Sequence, residues 1–183
     1  MKKKVLSIVA VVLVLCCAIG GTLAWLTDKT DPVVNTFTVG DINIELAESE
    51  NLDLKMVPGN TITKDPFITV KANSEKCWLF VKVDKSANYG DFLTDYQMAA
   101  GWTALDDQDG VYYQIVNAST TNQVFNVLLN NQVTVKDDVT KAQMEGIKNN
   151  TTAAPTLTFT AYAVQFDNVA TAADAWAKAN AKP

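Results

Sequence analysis

Residues 77–83 read Cys-Trp-Leu-Phe-Val-Lys-Val, and this run narrows the possible folds more than any other stretch of the chain. Successive side chains of a strand point to opposite faces. Cys77, Leu79, Val81 and Val83 therefore line one face, and Trp78, Phe80 and Lys82 the other. The first face is wholly apolar and the second mostly so. Such a strand needs cover on both sides, which calls for a layered protein with this strand inside a sheet. Residues 86–155 are the expected second cover.

Strand signals surround it. Residues 35–39 and 42–46 flank Gly40-Asp41, with Ile42, Ile44 and Leu46 facing the core and Asn43 and Glu45 outward. Pro58-Gly59 fits the two central positions of a type II turn. Residues 67–72 follow Pro66 as a strand, and the polar stretch 73–76 reads as the turn of a hairpin with 77–83. Further strands are expected at 111–117, 124–129, 133–135 and 156–165. Helical pieces read at 91–98 with Asp91 as cap, and at 138–148 with Asp138 at the start and Val139, Ala142, Met144 and Ile147 on one side. A third, 170–181, is Ala-rich and carries Trp176. With no strand–helix alternation, the expected class is mostly β: an antiparallel sandwich with short helical insertions and a C-terminal helix.

The start of the chain has a different character. Met1 is followed by Lys2, Lys3 and Lys4, then by an apolar run from Val5 to Ile19 in which Ser7 is the polar residue. This is the pattern of a secretory signal, too short for an ordinary membrane span. Thr22 and Ala24 place small residues at the −3 and −1 positions of a cut before Trp25. A retained N-terminal anchor is the alternative. Residues 1–24 are thus read as signal peptide and 25–183 as a single β-sandwich domain. After the cut, 12 lysines face 20 acids, a net charge of −8, and Cys77 remains alone, so no intramolecular disulfide can form. Its apolar neighbours suggest a buried, inert thiol.

Composition excludes much chemistry. The 183 residues include no His and no Arg. His-ligated zinc and the Ser-His-Asp and Cys-His arrangements lose an obligatory member, and guanidinium forks for phosphate or guanine are absent. An acidic chain offers no footprint for nucleic acid. The loop Asp106-Asp107-Gln108-Asp109-Gly110 invites a calcium reading, but an EF-hand alignment puts Leu105 and Val116 at ligand positions. A solvated turn with Asp-Gly at its tip explains it better. Asn117, Asn149 and Asn150 begin glycosylation sequons, a pattern common by chance. No catalytic residue, metal ligand or cofactor is assigned.

Exposed apolar residues carry more information. After cleavage the chain would begin Trp25-Leu26, continue through polar residues 27–31 and Pro32, and reach Val33-Val34. Residues 25–34 are either an edge strand of their own domain or a segment that adds to the open sheet edge of another copy. Physics alone leaves both open.

Gly20-Gly-Thr-Leu-Ala-Trp-Leu-Thr-Asp28 followed by Val34-Asn-Thr-Phe-Thr-Val-Gly-Asp-Ile-Asn-Ile-Glu-Leu46 resembles the TasA/camelysin family, exported proteins of Gram-positive bacteria with a SipW-type signal peptide. Met56-Val-Pro-Gly-Asn60, Lys64-Asp-Pro66 and residues 77–83 are similar to the family's next stretch, and 155–165 to its last long strand. The resemblance implies a jelly-roll-like sandwich, trimming by a dedicated signal peptidase, and assembly into extracellular matrix or cell-surface fibres. In these fibres each N-terminal strand, here Trp25 and Leu26 through Val33 and Val34, completes the next subunit's sheet. The implied partners are further copies of the chain, the peptidase during export and other matrix proteins. The camelysin branch also bears a metallo-endopeptidase label, which without His would need an all-carboxylate or Cys77 zinc site. A monomeric surface adhesin or spore-associated domain is the third reading. Residues 86–155, insertion-rich, depart from the short family pattern.

Overall fold

A computed structural model describes residues 40–49 and 54–181. The chain divides into residues 1–38 and residues 39–183, and the description that follows concerns the second unit. The proposed signal peptide, its cleavage residues Thr22, Ala24 and Trp25, the segment 25–34 and the expected strand 35–39 lie outside the described residues.

Among the described residues, nine strands build three antiparallel sheets. The first joins β1 (Ile44–Ala47), β3 (Phe67–Val70) and β7 (Gln123–Asn126) in the order β1-β3-β7. The second joins β4 (Cys77–Lys85), β5 (Thr103–Ala104), β6 (Val111–Val116) and β9 (Leu157–Gln165) in the order β5-β6-β4-β9. The third pairs β2 (Thr61–Thr63) with β8 (Gln132–Thr134). Mostly β, antiparallel, with short helices including one near the C-terminus, the architecture matches the class read from the residues. Residues 86–155 supply β5 to β8 and so contribute to all three sheets.

The expected hairpin between residues 67–72 and 77–83 does not form. Both strands exist, but β3 is bonded to β1 and β7 while β4 is bonded to β6 and β9. Residues 73–76 instead carry the chain from one sheet to the other. Asn73 takes a left-handed conformation, φ 63°, and its N–H donates to the Ser119 carbonyl at 2.7 Å. Glu75 N–H donates to the Asp41 carbonyl at 2.9 Å, and the buried Ser74 hydroxyl accepts from Asn43 N–H at 3.1 Å. These bonds satisfy the turn's polar groups with other segments rather than across a hairpin.

The arch sets Ile68 and Val70 of β3 against Cys77, Leu79, Val81 and Val83 of β4 in one core, closed by Val116, Val127 and the half-buried Ile42, Ile44 and Leu46. The alternation expected for residues 42–46 is therefore correct. The other face of β4 is covered differently from expectation. Trp78 and Phe80 pack with Leu105, Val111, Val169, Ala172, Ala175 and Trp176. Half of those covering residues belong to helix α3 (Ala172–Asn180), whose Trp176 ring lies 5.4 Å from that of Phe80. A third cluster, around Ile62, Phe92, Leu93, Leu128, Val133 and Val135, sits under β2 and β8.

The two other helices start elsewhere than expected. Helix α1 is a short Tyr89–Phe92 turn with Asp91 inside it rather than capping it. Helix α2 (Lys141–Asn149) begins three residues after Asp138. Its cap is Thr140, which forms a reciprocal capping box with Gln143. Asp138 therefore lies outside the helix, and Ala142 is exposed while Val139, Met144 and Ile147 meet the third cluster. Pro58-Gly59 turns as expected: Gly59 has φ 78°, and Asn60 N–H donates to the Val57 carbonyl at 3.0 Å.

Candidate functional site

Several titratable groups are engaged in ion pairs or hydrogen bonds. Lys64 pairs with Glu48 at 2.7 Å, Lys82 with Asp84 at 2.9 Å, Lys85 with Asp95 at 3.0 Å, and Lys71 with Glu45. A hydrogen bond from the Ser49 hydroxyl holds the Asp65 carboxyl below its ordinary value. Burial pushes the Cys77 thiol up to about 11, so it stays protonated at neutral pH and is a poor nucleophile or metal ligand. Among the described residues, no group of three His, Cys, Asp or Glu stands close enough to hold a metal ion. The zinc that the peptidase label implies therefore finds no fitting donor set in this part of the chain, where the donors are scattered carboxylates and one buried thiol.

The acidic loop is a structural connection between β5 and β6. Asp106, Asp107, Gln108 and Asp109 are exposed, and Leu105 is buried in the outer core rather than free to offer a ligand. Gln108 accepts from the Trp176 indole N–H at 3.1 Å, tying the loop to α3. Gly110 has φ 71°, and a Cβ there would stand 2.4 Å from the Val83 carbonyl oxygen. Close approach to β4 thus requires this glycine.

A more distinctive feature is the outer edge of β9. This nine-residue strand is bonded to β4 along its full length, from Cys77↔Gln165 to Lys85↔Leu157. No described strand pairs with its other side. In an antiparallel pair about half of a strand's N–H and C=O groups face its neighbour and half face away. Leu-Thr-Phe-Thr-Ala-Tyr-Ala-Val-Gln contains no charge, no Pro and no Gly, although long edges are normally blunted by such residues. The remaining edges are better protected. β1 carries Glu45 paired with Lys71, and β5 has only two residues. β7 ends against Trp102, whose indole N–H donates to the Asn126 carbonyl at 2.8 Å. On the core side of β9, Phe159, Ala161 and Ala163 are half-buried, the two alanines leaving the seam thin.

A trench of mixed polar and apolar lining continues from the Leu157 end of this edge. A depression between β1 and β9 is lined by Leu46, Ala47, Leu157 and Phe159 together with the polar Glu48 and Thr158. It shares Leu157 with a cavity of about 270 Å³ whose apolar walls are Leu54, Met56, Ile62, Leu93, Val133 and Leu157. Lys64 stands at the rim, its ammonium 5.8 Å from the centre of the Phe159 ring. Sequence reasoning did not find this surface, because its walls come singly from segments far apart in the chain. The exposed apolar side chains Leu54 and Val57 in a stretch without strand alternation were the available sign.

The residues expected to serve self-assembly, Trp25, Leu26, Val33 and Val34, lie outside the described residues. In comparisons with known proteins, the family model for the camelysin metallo-endopeptidases matches residues 1–88. No curated protein and no solved structure gives a match.

Proposed function

We propose, from the match of residues 1–88 to the family model for the camelysin metallo-endopeptidases, that the protein is a secreted structural subunit that polymerises by strand addition. In this reading residues 1–24 direct export and are removed by a signal peptidase before Trp25. Residues 25–34 of one copy then add to β9 of the next, and the product is an extracellular matrix or cell-surface fibre open to other matrix proteins. No enzymatic or nucleic-acid-binding role is assigned.

The observation that carries the reading is the uncharged nine-residue edge of β9. An added strand bonds to the outward-facing backbone groups, and its apolar side chains enter the thin seam beside Ala161 and Ala163. Each anchor buried contributes roughly 1.5–3 kcal/mol. Amide exchange along β9 tests this: alternate amides should exchange quickly in the monomer and become protected in the fibre. Uniform protection in the monomer, or unchanged exchange on polymerisation, would rule it out.

The family's description as metallo-endopeptidases favours a second reading, a secreted protease. Chelator-sensitive casein hydrolysis by a homogeneous preparation would establish it.

A further inference from the structure

We infer that the cavity beside Leu157 and a groove along helix α2 together form a binding site for a single-chain anionic amphiphile, a long-chain carboxylate. Its tail lies in the cavity and its carboxylate among the lysines of the groove. The inference is independent of strand addition.

The two spaces adjoin. The cavity, about 270 Å³, and the groove, about 450 Å³, share Leu54 and Met56 as lining. Together they fall in the range of roughly 300–1,000 Å³ typical of small-molecule sites. Ile62, Leu93, Val133 and Leu157 give the cavity apolar walls, and Lys64 and Thr156 are its polar members. In the groove, Met144 and Ile147 of α2 line the same space as Leu54 and Met56. An unbranched chain can occupy both spaces, and the two unbranched methionines can adapt to it.

The packing of α2 points to a ligand. None of its nine residues is buried, although Met144 and Ile147 are turned toward the third cluster. Leu54 is 51% exposed. These side chains leave apolar surface in water that a tail lying between them would cover.

Charge sets the direction. The chain as a whole has 20 acids against 15 lysines, yet the groove is lined by Lys55, Lys141 and Lys148 against Glu145 alone. Lys141 stands 3.6 Å from Glu145, and Lys148 makes no ion pair among the described residues. In the cavity Lys64 is matched by Glu48 at 2.7 Å. The groove end is therefore net positive and the cavity end is not, which places an anionic head at α2 and an apolar tail beside Leu157.

Fluorescence titration of delipidated secreted protein with cis-parinaric acid, below its micelle concentration, tests the site. Oleate, oleyl alcohol and oleylamine are the competitors, and melting temperatures check that each variant folds. Saturable binding is expected, with oleate displacing the probe at lower concentration than oleylamine. Met144→Asp should weaken binding by about tenfold or more, since it sets a carboxylate against the tail. Leu54→Asp, at an exposed position outside any strand, serves the same purpose should Met144→Asp fail to fold. Lys148→Glu should weaken oleate several-fold and leave oleyl alcohol unchanged. Absence of saturable binding would overturn the inference, as would equal displacement by oleylamine or full affinity in the folded Asp variants. Sedimentation with phosphatidylglycerol vesicles without binding of monomeric oleate would also overturn it, in favour of a membrane surface.

Discussion

Tyr89 shows how a single buried group sets a condition on the whole domain. It is 1% exposed, and its hydroxyl has no hydrogen-bond partner among the described residues. Burial, with a smaller contribution from Asp95, pushes its pKa up to about 12. Tyr96 is driven further in the same direction by burial and by its contact with the Tyr112 hydroxyl at 3.3 Å. For an acid whose folded pKa is raised, the unfolded chain loses its proton first. Stability is then complete below the unfolded value near 10 and falls as pH rises through the folded one. The melting temperature should decline between pH 10 and 12, starting near 9 through Cys77. Tyr89→Phe should soften that decline, and at pH 7 it should be neutral or stabilising by about 1 kcal/mol, since an unsatisfied hydroxyl is removed. Thermal melts across pH decide both points. Gly110→Ala should cost roughly 1–3 kcal/mol for the positive φ alone, with the contact to Val83 adding to it. The turn around Gly110 was readable from Asp109-Gly110. Its reason, the carbonyl of another strand, was not, because that neighbour lies far along the chain.

At the level of elements, β4 was legible because its alternation is visible in seven consecutive residues. Val81 is fully buried, and Val81→Asp should abolish folding, since an unpaired buried carboxylate costs several kcal/mol against a total stability of about 5–15 kcal/mol. Secretion level and circular dichroism would show it. What covers β4 and what pairs with it were not legible, because pairing is decided by distant segments. The polar stretch 73–76 suits a hairpin and an arch equally well, and only the bonds to Asp41, Asn43 and Ser119 select the arch. Helix α3 was foreseen as a helix but not as the lid over Trp78 and Phe80. Trp176 meets Tyr162 edge-on at 5.1 Å and Phe80 at 5.4 Å, so Trp176→Ala should cost about 3–5 kcal/mol in denaturant unfolding. The start of α2 was misread because Asp138 and Thr140 both suit a cap, and the Gln143 side chain decides for Thr140.

For the whole molecule, two cores on either side of β4 and a third beneath β2 and β8 give the described unit an interior of its own. The uncharged edge of β9 is the surface on which the proposed strand addition rests. The donor half of that idea, Trp25-Leu26 and Val33-Val34, was visible in the sequence as apolar pairs around a polar middle. The edge proposed as acceptor was not legible there, because it depends on β9 taking its place at the end of a sheet. The most direct test is electron microscopy and sedimentation of purified secreted protein, intact and lacking residues 25–34. The intact protein should form filaments, while the shortened one should stay a monomer with an unchanged melting temperature. A shortened protein that misfolds would show that the segment belongs to its own domain, and filaments from it would show that assembly uses another surface.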